Sequence, residues 1–93
     1  MPEFPGDIRE WITAHLVYPR DFQDDMEGIV FVQMVICDDG TIEQPFIIRT
    51  SHPVLNEAAL RLIRAMPRWK PAQRNGHPVD FSFVIPIRFR PDE

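Results

Sequence analysis

A single cysteine, Cys37, is all the chain has, so no internal disulfide can close and cysteine usage leaves the redox compartment open. No apolar run approaches the roughly 20 residues that carry a helix across a bilayer. Met1-Pro2-Glu3 does not open a secretion signal, which leaves a cytosolic protein or a soluble fragment of something larger. Positive charge is scarce: the formal net charge of −4 argues against general nucleic-acid binding. The one cationic concentration, Arg61, Arg64, Arg68, Lys70 and Arg74, reads as a solvated helix face before a phosphate site. No nucleophile, base and acid form a set. His15 falls on a helix face, His52 at a cap and His77 in a turn, so no metal site, catalytic residue or cofactor is expected. Cys37 followed by Asp38-Asp39 reads as a strand end and a turn. Internal repeats and low-complexity segments are absent too.

What is present suits one small domain. Ninety-three residues with 44% apolar side chains support one modest core, and a chain this short buries only about 60–65% of its unfolded surface. The clearest signal is the stretch from Val79 to Arg90. Val79, Phe81, Phe83, Ile85, Ile87 and Phe89 alternate with Asp80, Ser82, Val84, Pro86, Arg88 and Arg90, the period of a strand with one buried face. Pro86 has no N–H to give a ladder and belongs where that flank is unpaired. Lateral main-chain direction alternates along a strand. The main chain of Ser82, Val84, Pro86 and Arg88 should therefore face an open edge, while Phe81, Phe83, Ile85 and Ile87 pair inward. An open edge is a template for another chain's strand. The segment carrying Ser82, Val84, Ile85, Pro86, Ile87 and Arg88 is the candidate partner-binding site.

Earlier in the chain, Pro2 to Gly6 forms a stiff lead-in, and Asp7 with Glu10 makes a capping-box pattern. Ile8, Trp11, Ile12, His15 and Leu16 then follow helical spacing. That helix should end near Val17, since Pro19 disfavours helical backbone at Tyr18. Arg20 to Glu27 is acidic and polar, with Phe22 as its apolar anchor and room for a helical turn. A strand from Ile29 to Cys37, apolar on both faces and free of proline, reads as central. Asp38-Asp39-Gly40 is a hairpin turn, and a return strand runs from Thr41 to about Arg49. The parity change between Ile42 and Ile47 predicts a bulge at Gln44-Pro45, and Pro45 marks an edge. Ser51 or His52 caps a second helix with Pro53 in its first turn. Leu55, Ala58, Ala59, Leu62, Ile63 and Met66 form its apolar stripe, and Pro67 stops it. Trp69 is expected in the core, within a long connection that turns at Asn75-Gly76.

The element order is thus α-β-β-α-β. A helix returning along the sheet delivers the third strand beside the first, giving the order two-one-three with the proline-free strand in the middle. The expected fold is α+β: two helices on one face of a three-stranded antiparallel sheet, in one domain over residues 1–93.

Tyr18-Pro19, the run from Gly28 to Gln33, Asp39-Gly40, Ala58-Ala59-Leu60, the run from Met66 to Pro71, Asn75 to Val79 and Pro86 to Phe89 occur in an order and spacing that resemble the C-terminal domain of the TonB energy-transducer family. Phe4-Pro5-Gly6 resembles the variant common in Bacteroidetes. Asn56 stands where that family more often has Asp, and Pro45 where it usually has an aliphatic residue. The resemblance implies a periplasmic domain of an inner-membrane-anchored protein, with the anchor and linker outside this chain. It implies capture of the TonB box, a short extended segment of an outer-membrane transporter, by strand addition beside the last strand. It also implies a pull drawn from inner-membrane motor proteins, with Tyr18 and Pro19 as a secondary contact. A second copy could pair at the same edge as a strand-exchanged homodimer. The rival function is a sensor or regulatory domain of a membrane-bound signalling protein, where similar domains also occur; the sequence before the domain would separate the two. An enzyme is not expected.

Overall fold

In the computed structural model, which describes residues 1–20, 22 and 27–90, the first helix starts at a carboxylate. Asp7 Oδ1 accepts the N–H groups of Arg9 (3.0 Å) and Glu10 (3.2 Å), supplying two of the acceptors a helix start lacks. Helix α1 (Ile8–His15) follows and ends two residues short of Val17, where Leu16 turns extended. None of its residues is fully buried; Ile8, Trp11, Ile12 and Leu16 lean on the core from outside. The expected helical turn between Arg20 and Glu27 lies mostly outside the described residues. Phe22 is described and is buried, its N–H donating to the Pro19 carbonyl at 3.1 Å.

Strand β1 (Gly28–Ile36) buries Val30, Val32, Met34 and Ile36, one face of its two-residue period. The chain reverses at Asp38-Asp39-Gly40, with Gly40 in the left-handed region at φ +87°. Asp39 Oδ1 accepts both the hydroxyl (2.6 Å) and the N–H (3.0 Å) of Thr41, and these bonds to the charged form hold its carboxyl below the usual range. Strand β2 (Ile42–Thr50) pairs antiparallel with β1. The bulge falls at Gln44-Pro45 as expected: Glu43 pairs with Val35 and Phe46 with Gln33, so two residues face Met34 alone. Gln44 takes φ +54° to make room. A second irregularity, which the pattern did not announce, leaves Ile48 between the Val32↔Ile47 and Phe31↔Arg49 pairs.

Pro53–Leu55 forms a 3₁₀ turn with His52 at its N-cap position, though neither there nor at the start of helix α2 (Asn56–Arg64), which continues it, does a side chain make a capping bond. Leu55, Ala59, Leu62 and Ile63 bury the expected stripe against the sheet. Helix α2 stops before Pro67, which disfavours helical backbone at Met66. Only Arg61 and Arg64 of the cationic series therefore lie on the helix, a correction to the single cationic helix face. Lys70 instead exchanges two main-chain bonds with Glu3 (2.7 and 2.9 Å), tying the N-terminal lead-in to the body. Arg74 ends strand β3 (Ala72–Arg74), which pairs with β4 (His77–Val79).

That β3–β4 hairpin corrects the expected element order, which had only a connection there. Asn75 (φ +52°) and Gly76 (φ +80°) both adopt left-handed backbone, the two-residue turn whose twist suits a tight hairpin. Strand β5 (Phe81–Phe89) then pairs antiparallel with β1 along its whole length. The main sheet runs β2-β1-β5, the expected two-one-three order with the proline-free strand central. Helix cover is unequal, a second correction: α2 places side chains in the core, while α1 docks through an aromatic chain. Phe4 packs against Trp11 (5.7 Å) and Trp69 (5.4 Å), and Trp69, buried as expected, meets Phe83 edge-on at 5.5 Å.

Candidate functional site

The direction of the β1 main chain decides what the β5 flank can do. Ile29 carbonyl accepts the Ser51 N–H (3.0 Å), Ile29 N–H donates to Ser51 Oγ (3.0 Å), and Cys37 N–H donates to the Thr41 carbonyl (2.8 Å). Odd residues of that strand therefore turn their main chain toward β2, and even residues turn toward β5. The register pairs Val30 with Ile87, Val32 with Ile85, Met34 with Phe83 and Ile36 with Phe81. These are the bonded pairs. The main chain of Ser82, Val84, Pro86 and Arg88 points away from the sheet. Pro86 stands opposite Phe31 at a non-bonded pair and costs the ladder nothing.

Strand β5 is terminal in the sheet, and among the described residues no other strand lies along its outer flank. The lane offers the N–H groups of Ser82, Val84 and Arg88 and the carbonyls of those residues and Pro86. It stops at Arg90, whose N–H donates to the Tyr18 hydroxyl at 2.8 Å. Ser82, Val84, Pro86 and Arg88 side chains are exposed, and Gln33 Nε2 donates to Ser82 Oγ at 3.4 Å. Ile85 and Ile87 are in the core; Ile87, with no exposed surface, supports the edge from behind and meets no visitor directly.

Beside the lane lies a groove of about 620 Å³, and smaller grooves of about 280 and 300 Å³ lie elsewhere on the described residues. Phe83, Ile85 and Trp69 line the sheet side; Phe4 and the α1 residues Ile8, Ile12 and Thr13 line the other. Arg9 and Arg88 bring positive charge, and among the described residues no carboxylate lines it, in a chain whose net charge is −4. Trp69 Nε1 is buried there and has no hydrogen-bond partner among the described residues. The sequence reading missed Phe4 and α1 as a wall. Their apolar spacing was visible, but not the strand they would lie against.

Tyr18 stacks on Phe22 (5.9 Å) and meets Phe89 edge-on (5.6 Å), which aims its hydroxyl at Arg90. Pro19 sits in the groove of about 300 Å³ between Val17 and the α2 residues Ala58 and Leu62. His15 stacks on Trp11 (4.3 Å), and His52 contacts Phe22 and Ser51. Among the described residues, no group of three His, Cys, Asp or Glu side chains could hold a metal ion. Burial pushes the Cys37 thiol above its ordinary pKa, with Glu43 and Asp80 adding to the rise, the reverse of what an activated nucleophile needs. No described helix is long and apolar enough to cross a membrane.

Compared with known protein families, residues 14–91 match the model of the Gram-negative bacterial TonB protein C-terminal. The match runs from the last two residues of α1 through β5 and leaves Phe4 and the α1 residues Ile8 to Thr13 outside it. No curated protein matches the chain.

Proposed function

Starting from a chain that belongs to the Gram-negative bacterial TonB C-terminal family, we propose that the β5 edge captures the TonB box of an outer-membrane transporter by strand addition. Domains of this family are periplasmic, interact with outer-membrane transporters and are not enzymes. The observation that carries the reading is the outward main chain of Ser82, Val84, Pro86 and Arg88 on a terminal strand. An extended visitor adds a fourth strand there. Its side chains alternate between the groove beside Phe83 and Ile85 and the exposed side beside Val84 and Pro86. The cations Arg9 and Arg88 suit a visitor that carries a carboxylate.

Four or five main-chain bonds at about 0.5–1.5 kcal/mol each, set against the entropy of association, correspond to roughly micromolar affinity. In the same proposal, the domain is held to the inner membrane by a segment outside this chain, and motor proteins there supply the pull. Traction along β5 loads the bonds together, so a modest equilibrium clamp still transmits force briefly.

The test is a titration of the ¹⁵N-labelled chain with capped TonB-box peptides. The expected result is micromolar binding, with the amides of Ser82, Val84 and Arg88 among the most shifted. Saturable binding whose shifts map to β2 or α2, leaving the β5 amides still, would sink the assignment.

A further inference from the structure

We infer that the Tyr18 hydroxyl is the register stop of the β5 edge: it occupies the outward N–H of Arg90 and so sets where a captured strand must end. This rests on the strand-capture reading above.

The parity argument places the Arg90 N–H on the same outer flank as those of Ser82, Val84 and Arg88. It would be the next donor offered to an added strand. Tyr18 reaches it at 2.8 Å from 72 positions earlier in the chain. The ring is not free to swing away, since Phe22 stacks on one side of it and Phe89 meets it edge-on. Phe22 and Phe89 are themselves buried, so the hydroxyl is held by the core. A visitor running past Arg88 would have to take the place of the hydroxyl oxygen, breaking one hydrogen bond to gain one. The open lane consequently spans Ser82 to Arg88, and pairing beyond that contributes nothing.

A stop at one end defines register as well as length. A β-strand is weakly specified where its neighbour offers a uniform edge, because a two-residue slip keeps every side chain on its own face. Here Pro86 removes one donor inside the lane and Tyr18 closes one end. A two-residue slide toward Arg90 would lose a pair at Ser82 and find none in exchange. Tyr18 is thus a positioning residue for the captured segment.

The experiment measures affinity by calorimetry for a nested set of capped TonB-box peptides, lengthened two residues at a time at either end. It compares the unsubstituted chain with Tyr18→Phe, which keeps the ring and removes only the acceptor. In the unsubstituted chain, affinity should level off once the peptide spans Ser82 to Arg88. In Tyr18→Phe, lengthening at the end beside Arg90, and not at the other, should gain a further about two- to tenfold. The Arg90 amide should then join the peptide-shifted set. Thermal unfolding verifies that both chains are folded at the titration temperature. The same length dependence in both chains, with an unshifted Arg90 amide, overturns the role of Tyr18 while leaving capture standing. Failure of every peptide to bind the unsubstituted chain overturns capture itself.

Discussion

Removing the outward donors of β5 without touching its side chains separates strand addition from ordinary surface contact. The comparison is Val84→Pro with Arg88→Pro against Val84→Ala with Arg88→Ala. Both pairs delete the same side chains, and both sites face solvent, Val84 at 42% exposure. Neither N–H enters the β1 ladder, because Val84 and Arg88 stand opposite Gln33 and Ile29 at non-bonded pairs. Proline at each site therefore removes no bond of the fold, and the preceding residues, Phe83 and Ile87, are already in strand, where proline wants its predecessor. Stability should differ between the two pairs by no more than about 1 kcal/mol. Binding should differ far more. Two of the three outward donors are gone, and each facing carbonyl of the visitor is left unsatisfied at about 1–3 kcal/mol. The sum, about 2–6 kcal/mol, is roughly a 30-fold to 10⁴-fold weakening, enough to take a micromolar complex out of calorimetric range. The Ala pair should stay within about tenfold of the unsubstituted chain. Equal affinity for the Pro and Ala pairs, with matching circular dichroism, would refute strand addition at this edge.

Gly40→Ala should cost at least about 2 kcal/mol, since a side chain at φ +87° is strained and its Cβ would run into the Trp69 carbonyl oxygen. That lowers Tm by about 8–16 °C. Gly76→Ala, at φ +80° with nothing within 4 Å, should cost only about 1 kcal/mol, and equal losses would contradict the Gly40–Trp69 contact. Trp69→Ala should cost about 3–5 kcal/mol in urea. Trp69→Phe should cost far less, because the indole N–H has no partner among the described residues to lose; comparable midpoints would mean that the nitrogen is bonded. Asp39 has its folded pKa lowered by Thr41, so its contribution is present above the unfolded value and fades as pH falls through the folded one. Melting curves of Asp39→Asn and the unsubstituted chain should accordingly converge on acidification, and a gap that persists or grows would reverse the sign.

Much of this architecture was legible because local chemistry and tertiary environment agree. The α2 stripe has a single period, and its buried members are the ones the period names. The bulge at Gln44-Pro45 was legible for the same reason: a parity change between Ile42 and Ile47 leaves a strand no other way to keep both inside. The β3–β4 hairpin was not, although Asn75-Gly76 advertised its turn. Three residues on each side carry too little alternation to register as strands. The cationic series misled because proximity in sequence resembled proximity on one surface, and Pro67 breaks the helix partway through it.

The candidate site divides along the same line. Alternation from Val79 to Arg90, with Pro86 in phase, determined by itself which main-chain groups of the last strand point out, because lateral direction is a local property of extended backbone. Which element borders that flank was settled only by tertiary structure. Phe4 and α1 form the groove wall, and Tyr18 ends the lane at Arg90. These contacts join residues about 70 positions apart, and their geometry depends on how aromatic rings share one core. No period or motif in a single sequence encodes that distance.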